Sequence, residues 1–349
     1  MGSSVILSSN YSVLILGIAA LLDRLIGDPI NWLHPVQVMG WLIAKFTEIV
    51  TVNDAVNSRR SPRFAPQIMR ALGIVLGLGL IIGSGLMTWL LLAIAAQVHS
   101  GLGIAIASML LAACFAGRSL RDAAESVLTV LATGDLEQAR QQLSYYVGRD
   151  TANLSESEIL RAILETVTEN AIDGVTSPLF YAIVGSLIWD YGGVVGAIAY
   201  KAASTLDSMV GYRETPYSDL GWFSAKTDDV LTWLPCRLTV LTLALVSGQP
   251  LTVWRICQRD AKQDPSPNSG WSECVYAAIL QVQLGGENYY RGVVKSKPLL
   301  GNPIEAIAPA KVQQALSLTR LCFLIWLGLF LLLFFLLPNL WQWFHHNWA

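Results

Sequence analysis

The sequence predicts an all-α integral membrane protein that crosses the bilayer several times. Three observations predict it. Hydrophobic residues fill 53% of the 349 positions and charged residues only 14%, with a mean hydropathy of +0.48; soluble domains carry about a quarter charged residues. Several apolar runs approach or exceed the roughly 20 residues needed to cross about 30 Å of hydrocarbon. Strand-type alternation is weak throughout, while helical periodicity is not.

In chain order, residues 1–10 hold no Lys or Arg, and the apolar stretch 13–22 meets Asp23 and Arg24 with no small-residue cleavage site. The N-terminus therefore reads as a retained anchor and not as a secretory signal. Spans are expected at residues 11–26 (short), 71–96, 101–117 and 319–337. Two further runs are interrupted: 179–200 by Asp190 and Gly192-Gly193, and 230–246 by Pro235 and Arg237. Each reads as a broken or re-entrant helix. The whole chain, 1–349, is expected to form one membrane-embedded domain with a helical segment at 118–178 and a helix and loop segment at 251–318 on the cytoplasmic side.

Basic residues set that orientation. Lys45, Arg59, Arg60, Arg63 and Arg70 crowd one loop, and Arg118, Arg121, Arg140, Arg149 and Arg161 crowd another, while the turn at 97–101 between them has no Lys or Arg. The positive-inside rule puts both basic regions in the cytoplasm, with Trp341, Trp343 and Trp348 as an aromatic belt on the opposite face. The net charge of −2 and the absence of a basic domain argue against nucleic acid. Cys114, Cys236, Cys257, Cys274 and Cys322 form no CxxC pair and read as small core residues, not as a disulfide framework or zinc site.

Polar clusters in so apolar a chain are the candidate functional elements. The segment 260–270, DAKQDPSPNSG, alternates Pro265 and Pro267 with Asp264, Ser266 and Asn268, an extended turn with short polar side chains projecting. Its plain alternative is a surface turn. Ser155 and Glu158 form a capping-box pattern opening a helix. Along that helix Glu158, Arg161, Glu165, Glu169 and Asp173 fall in one sector about 120° wide, a face able to hold a divalent cation. For Glu158 and Arg161 a solvated face is the preferred reading. Glu165, Glu169, Asn170 and Asp173 adjoin the next apolar run, where carboxylates are costly unless they serve a partner.

Further along, Ser204, Asp207, Ser208 and Gly211 share one helical face, and Lys201 either snorkels or pairs with phosphate. Asp228 and Asp229 read equally well as acids that start a helix. Glu273 lies on the helix that follows the 268–270 turn and that Gly285-Gly286 is expected to end. Asp23, Gly27, Asp28, Pro29, His34 and Pro35 form another turn; His34 reads as structural, and His99, His345 and His346 as peripheral. The run GLGLIIG at 77–83 mimics a dinucleotide fingerprint but lies inside an apolar span, where packing through small residues explains it better. No GxxxxGK[ST] loop, GxSxG elbow or HExxH pair occurs.

Taken together, DRLIGDP-x4-HPV at 23–36, GRDT at 148–151, ETVTENAIDGVTSPLFY at 165–181, KAASTLDSMVGY at 201–212, DD-x7-R at 228–237 and DPSPNSGWSE at 264–273 resemble the cobinamide-phosphate synthase family of cobalamin biosynthesis, CobD/CbiB, over about 250 residues in order. The resemblance implies a multi-pass enzyme of the cell membrane with its active site facing the cytoplasm. It implies an acid-amine ligase that joins adenosylcobyric acid, a corrinoid, to the amino alcohol (R)-1-amino-2-propanol or its phosphate, with ATP as co-substrate and Mg²⁺ as cofactor. ATP would phosphorylate the propionate carboxylate, and the amine would displace phosphate. On these grounds Glu165, Glu169, Asp173 and Asp207 are the catalytic candidates, and Asp228, Asp229 and Asp173 the metal candidates. Asn170, Lys201, Ser208, Arg237, Ser266, Asn268, Glu273 and Arg149 are the substrate-binding candidates. The expected partners are these substrates and the lipid bilayer; a homo-oligomer is compatible with the reading.

Two readings of other classes compete. A membrane sensor of the AmpE type would not need the DPSPNSG and ENAIDG clusters, which are intact here. A transporter would suit the broken runs, although most polar groups lie toward the cytoplasmic ends of the spans.

Overall fold

The computed structural model describes residues 2–27, 34–57, 66–189, 191–212 and 217–336. Trp341, Trp343, Trp348, His345, His346, Arg59, Arg60, Arg63, Asp28, Pro29 and Asp190 lie outside them. In chain order the helices are α1 (Gly2–Leu25), α2 (Pro35–Asn57), α3 (Pro66–Val98), α4 (Ser100–Ala112), α5 (Gly117–Leu131), α6 (Leu136–Ser144) and α7 (Glu156–Ala171). A π-turn (Ile172–Thr176) leads into α8 (Ser177–Ile188), α9 (Gly192–Val210), α10 (Tyr217–Leu220), α11 (Trp222–Val246) and α12 (Pro250–Asp260). After a 3₁₀ turn come α13 (Ser269–Leu280), an antiparallel hairpin of β1 (Leu284–Tyr290) and β2 (Val293–Leu300), and α14 (Pro309–Leu336).

The protein is all-α and multi-pass. Among the described residues five stretches are long and apolar enough to cross a membrane: Pro66–Val98, Ser100–Leu131, Glu156–Ile188, Trp222–Val246 and Pro309–Leu336. In α3 only 22% of the most apolar window is buried inside the protein. Its outward Leu78, Ile82, Leu86, Leu90 and Ile94 thus present the apolar surface that lipid requires.

The chain divides into two compact units. Unit 1 comprises residues 1–115, 178–231 and 328–349, and unit 2 residues 116–177 and 232–327. In unit 1, α3 packs on α4 and α9, and α1 on α4. The expected break in the run 179–200 is present: α8 stops at Ile188, and α9 starts after Tyr191, whose φ of 63° is left-handed. The two helices then pack backbone to backbone. A Cβ at Gly185 would stand 2.2 Å from the Gly192 carbonyl oxygen, and one at Gly193 2.5 Å from that of Ala182. Of the 77–83 glycines, Gly77 admits the Phe223 ring, but a Cβ at Gly79 or Gly83 would meet nothing within 4 Å. Small-residue packing therefore accounts for Gly77 alone. His34 and His99 are structural, their Nδ1 atoms accepting from the backbone amides of Val36 and Gly101 at the starts of α2 and α4.

The expected break in 230–246 is absent. Helix α11 runs through Pro235 without interruption. Proline cannot donate to the carbonyl four residues back, and that oxygen, Leu231 O, instead accepts from Tyr181 Oη at 2.9 Å. A neighbouring helix supplies the missing donor, as interrupted ladders in membrane helices require. We expect Tyr181→Phe to cost about 1–2 kcal/mol, and to cost much less in a Pro235→Ala background, where an amide returns. A double-mutant cycle on thermal unfolding in detergent measures this, and equal costs in both backgrounds would break the link.

Unit 2 packs α5 and α13 on α7, burying Ile159, Ile163, Leu164 and Val167 against residues that include Cys274, Val275 and Ala277. The capping box at Ser155 and Glu158 is formed. The π-turn leaves the Gly174 carbonyl to accept from Ala116 N at 2.8 Å. All five cysteines are free and buried, as expected of small core residues.

The hairpin corrects the expectation of helix and loop across this region. Helix α13 ends at Leu280, where Gln281 turns left-handed, so Gly285 and Gly286 do not end it but open β1. The strands turn through Arg291 and Gly292, with φ of 51° and 76°, the positive angles that a two-residue hairpin turn favours.

Candidate functional site: a buried charge cluster

Helix α7 carries Glu165 at a position that faces α13 and β1, and the carboxylate is 1% exposed. Both of its oxygens are engaged. Oε2 accepts from Arg149 Nη2 at 2.5 Å, and Oε1 accepts from Gly285 N at 2.9 Å and Arg161 Nη1 at 3.4 Å. Gly285 has a φ of 89°, which an L side chain rarely tolerates, and both its peptide groups serve the cluster: its carbonyl accepts from Arg161 Nη1. Arg161 Nη2 also donates to the Glu287 carbonyl at 3.0 Å. Arg161 is thus a tie between α7 and β1 and not part of a solvated face; the short carbonyl row at the start of β1 claims its fork. Glu158 does belong to the exposed face.

The GRDT segment splits its two charges by direction. Arg149 turns inward, donating through Nη1 to Asn288 Oδ1 at 2.7 Å. Asp150 turns to the hairpin tip, where its carboxylate accepts from Arg291 N at 3.0 Å and Gly292 N at 2.7 Å. Asp150 N donates to the Tyr289 carbonyl at 2.8 Å, so the segment is pinned alongside β1.

Glu273, on α13, is wholly buried. Its Oε1 accepts from Lys297 Nζ at 3.1 Å, while Oε2 has no partner. Burial pushes this carboxyl up to about 8; nearby Glu169 and Glu165 push the same way, and the Lys297 ammonium opposes them. Lys297 itself loses some basicity to burial but gains more from Glu273, Glu169 and Glu165, so its ordinary value is raised and it stays charged. Asn288 is also buried, and its Nδ2 has no partner.

Of the residues singled out in the sequence, this cluster brings together Arg149, Glu165, Glu169 and Glu273. Asn170 is exposed, its amide donating to the Thr166 carbonyl at 2.9 Å. Asp173 sits in the π-turn, partly buried, within electrostatic reach of Cys236. Lys297, Asn288 and Gly285 were not singled out as members. The signal available was YYRGVVKSK, two β-rich pairs around an xG turn.

A second assembly in unit 2 surrounds Arg237. Its guanidinium donates to the Pro267 carbonyl at 2.8 Å and to Asn268 Oδ1 at 3.4 Å, and lies 4.6 Å over the Trp271 ring and 5.4 Å over Trp233. Ser266 Oγ accepts from Asn268 N and Ser269 N, and Asp264 Oδ1 from Ser266 N. The 264–269 turn is therefore held by its own side chains and by Arg237. Arg237→Ala should raise proteolytic cleavage and amide exchange at 264–269 by about tenfold, the loss of one or two charge-assisted hydrogen bonds; unchanged exchange would show that the turn holds itself.

The remaining candidates are in unit 1. Lys201, Asp207 and Ser208 lie on α9, where Ser208 Oγ donates to the Ser204 carbonyl at 2.6 Å and Asp207 lies over Gly211. Asp228 is buried, and Asp229 pairs with Lys226 at 3.2 Å. Both are past the first turn of α11, so a helix-starting role does not explain them. Among the described residues no three His, Cys, Asp or Glu side chains gather in a way that would hold a metal ion by themselves.

A family profile described as "CobD/Cbib protein" matches residues 16–319. The chain belongs to this family. The CobD/Cbib span includes every member of the buried cluster. Within the curated relatives, "Cobalamin biosynthesis protein CobD" of Synechocystis sp. is 55% identical over 315 residues, covering 90% of this chain and 89% of that protein. The protein of the same description from Halalkalibacterium halodurans is 40% identical over 323 residues, covering 89% and 94%. "Cobalamin biosynthesis protein CbiB" of Salmonella arizonae is 38% identical over 305 residues, covering 86% and 91%. No solved structure matches the chain.

Proposed function

We propose that this protein serves cobalamin biosynthesis as an ATP-dependent acid-amine ligase, joining adenosylcobyric acid to (R)-1-amino-2-propanol or its phosphate at the cytoplasmic side of the cell membrane. The observation that carries the reading is likeness, over 89–90% of this chain, to proteins described as "Cobalamin biosynthesis protein CobD". The buried cluster adds chemical support. A carboxylate is a poor acyl donor, so its oxygen takes the γ-phosphoryl group of ATP and ADP leaves; the amine nitrogen then attacks the carbonyl carbon and loses a proton, and the C–O bond to phosphate breaks to release inorganic phosphate. The corrin carboxylate, ATP and the leaving phosphate are anionic, and fixed cations such as Arg149, Arg161 and Lys297, already oriented by Glu165 and Glu273, neutralise charge without reorganising.

Mg²⁺ favours one or two carboxylates together with substrate phosphates. The described residues fit an ion of that kind, carried in on nucleotide, better than a resident one: Asp228, Asp229 and Asp173 each offer one carboxylate. When bound, it would neutralise phosphate charge.

The test is purified protein in detergent with adenosylcobyric acid, ATP, Mg²⁺ and either amine, products being followed by mass spectrometry. The expected result is a corrinoid heavier by the amino alcohol less one water, formed only with ATP. No product with either amine would overturn the reading.

A further inference from the structure

Two buried polar atoms in the cluster lack any partner: Glu273 Oε2, on a residue with 0% exposure, and Asn288 Nδ2, on one with 3%. Buried polar groups are almost always satisfied, so an orphan calls for a partner such as a bound ion or ligand group. We propose that Glu273, Asn288 and Lys297 form an oxyanion subsite that takes one phosphate or carboxylate group of a substrate. The inference rests on the ligase reading for the identity of that substrate, and on geometry for the site.

The hairpin register pairs Gly286 with Lys297 and Asn288 with Lys295. Residues directly opposite share a face, and so do alternate residues along a strand. Asn288 and Lys297 are therefore diagonal neighbours on one face of the hairpin, and Lys297 reaches from that face to Glu273 of α13. The Lys297 side chain is 29% exposed, against 0% for Glu273, so the ammonium is the group a solute meets.

Charge decides the sign of the ligand. Glu169 and Glu165 from α7 and Lys297 from β2 act on Glu273, and Arg149 and Arg161 join the cluster through Glu165. Burial pushes Glu273 toward its protonated form, and with that proton in place three cations of the cluster oppose two carboxylates and one positive charge is left over. The orphan oxygen is then an O–H donor, like the orphan amide of Asn288 and the ammonium of Lys297. A carboxylic acid kept neutral by an apolar site is a known way to build such a donor. A set of donors with a surplus positive charge suits an anion and not the ammonium of the amine substrate.

The test needs neither ATP nor corrinoid. Detergent-solubilised protein at neutral pH is titrated with inorganic phosphate and, separately, with propionate, against chloride at equal ionic strength, and the rise in melting temperature is fitted for apparent Kd. Saturable stabilisation by phosphate assigns the subsite to a phosphate-bearing substrate, and by propionate to the corrin carboxylate. Lys297→Met should weaken that Kd by about tenfold or more, as loss of a charge-assisted contact does, and Lys297→Arg should restore most of it. Glu273→Gln, which keeps a donor, should bind within about threefold of the parent, and Asn288→Asp, which replaces a donor with a negative charge, should abolish binding. If Lys297→Met fails to fold, the Asn288→Asp and Glu273→Gln pair decides. No saturable effect of either anion, or unchanged binding in Lys297→Met and Asn288→Asp, overturns the proposal. Anion binding without amide formation in the enzyme assay would sink the ligase reading alone.

Discussion

Replacing Glu165 with alanine is expected to destabilise unit 2 by about 3–5 kcal/mol, the usual consequence of removing one member of a buried ion pair. The substitution strands two cations at once, because Arg149 and Arg161, with side chains 7% and 15% exposed, share this one carboxylate. It also removes the acceptor for Gly285 N, so the entry to β1 loses its tie to α7. Glu165→Gln should cost less, since the amide oxygen still accepts one donor. Glu158, half-buried and closing the capping box at the other end of the same helix, gives the scale: Glu158→Ala should cost no more than about 1 kcal/mol. Thermal unfolding in detergent ranks the three. In the ligase assay, Glu165→Ala should lose on the order of a hundredfold in rate through misplacement of the cations. A stability within about 1 kcal/mol of the parent would mean that Arg149 and Arg161 reach other acceptors or water and that the cluster is not a unit.

Much of this arrangement is legible in the sequence because apolar and helical patterns are local. The span at 71–96 falls within α3 and residues 319–336 of the last span within α14, and the capping box at Ser155 starts α7 where Glu158 said it would. The break between α8 and α9 is also local, written in Gly192-Gly193. Pro235 misled because its effect depends on a donor 54 positions away in sequence, Tyr181, which no window around the proline contains. The candidate site shows the same division. Glu165 is visible as a carboxylate too costly to place near hydrocarbon without a partner, and Glu273 as an acid on the helix that follows the 268–270 turn. Their partners are not. Lys297 stands two residues from Lys295 with nothing local to tie it to Glu273, and the hairpin, with its Arg291-Gly292 turn and glycine-rich start, brings it there. Arg161 was misplaced for a similar reason: helical spacing puts it on a polar face, but that face is covered by the first carbonyls of β1.

The stability of the protein should fall as the pH rises from about 5 to about 8, and Glu273→Gln should flatten that dependence. The folded-state value of Glu273, about 8, lies above the 4.5 of an ordinary glutamate. In that window the folded state holds a proton that the unfolded state has released, so unfolding free energy declines with pH at up to roughly 1 kcal/mol per unit. Stabilisation is complete below the unfolded value and is lost as pH passes the folded one. Melting temperatures of both proteins between pH 5 and 9, in one detergent and at fixed ionic strength, measure the difference. Parallel curves would show that Glu273 is ionised throughout, paired with Lys297 as a plain buried salt bridge, and the surplus positive charge on which anion selectivity depends would disappear with the proton.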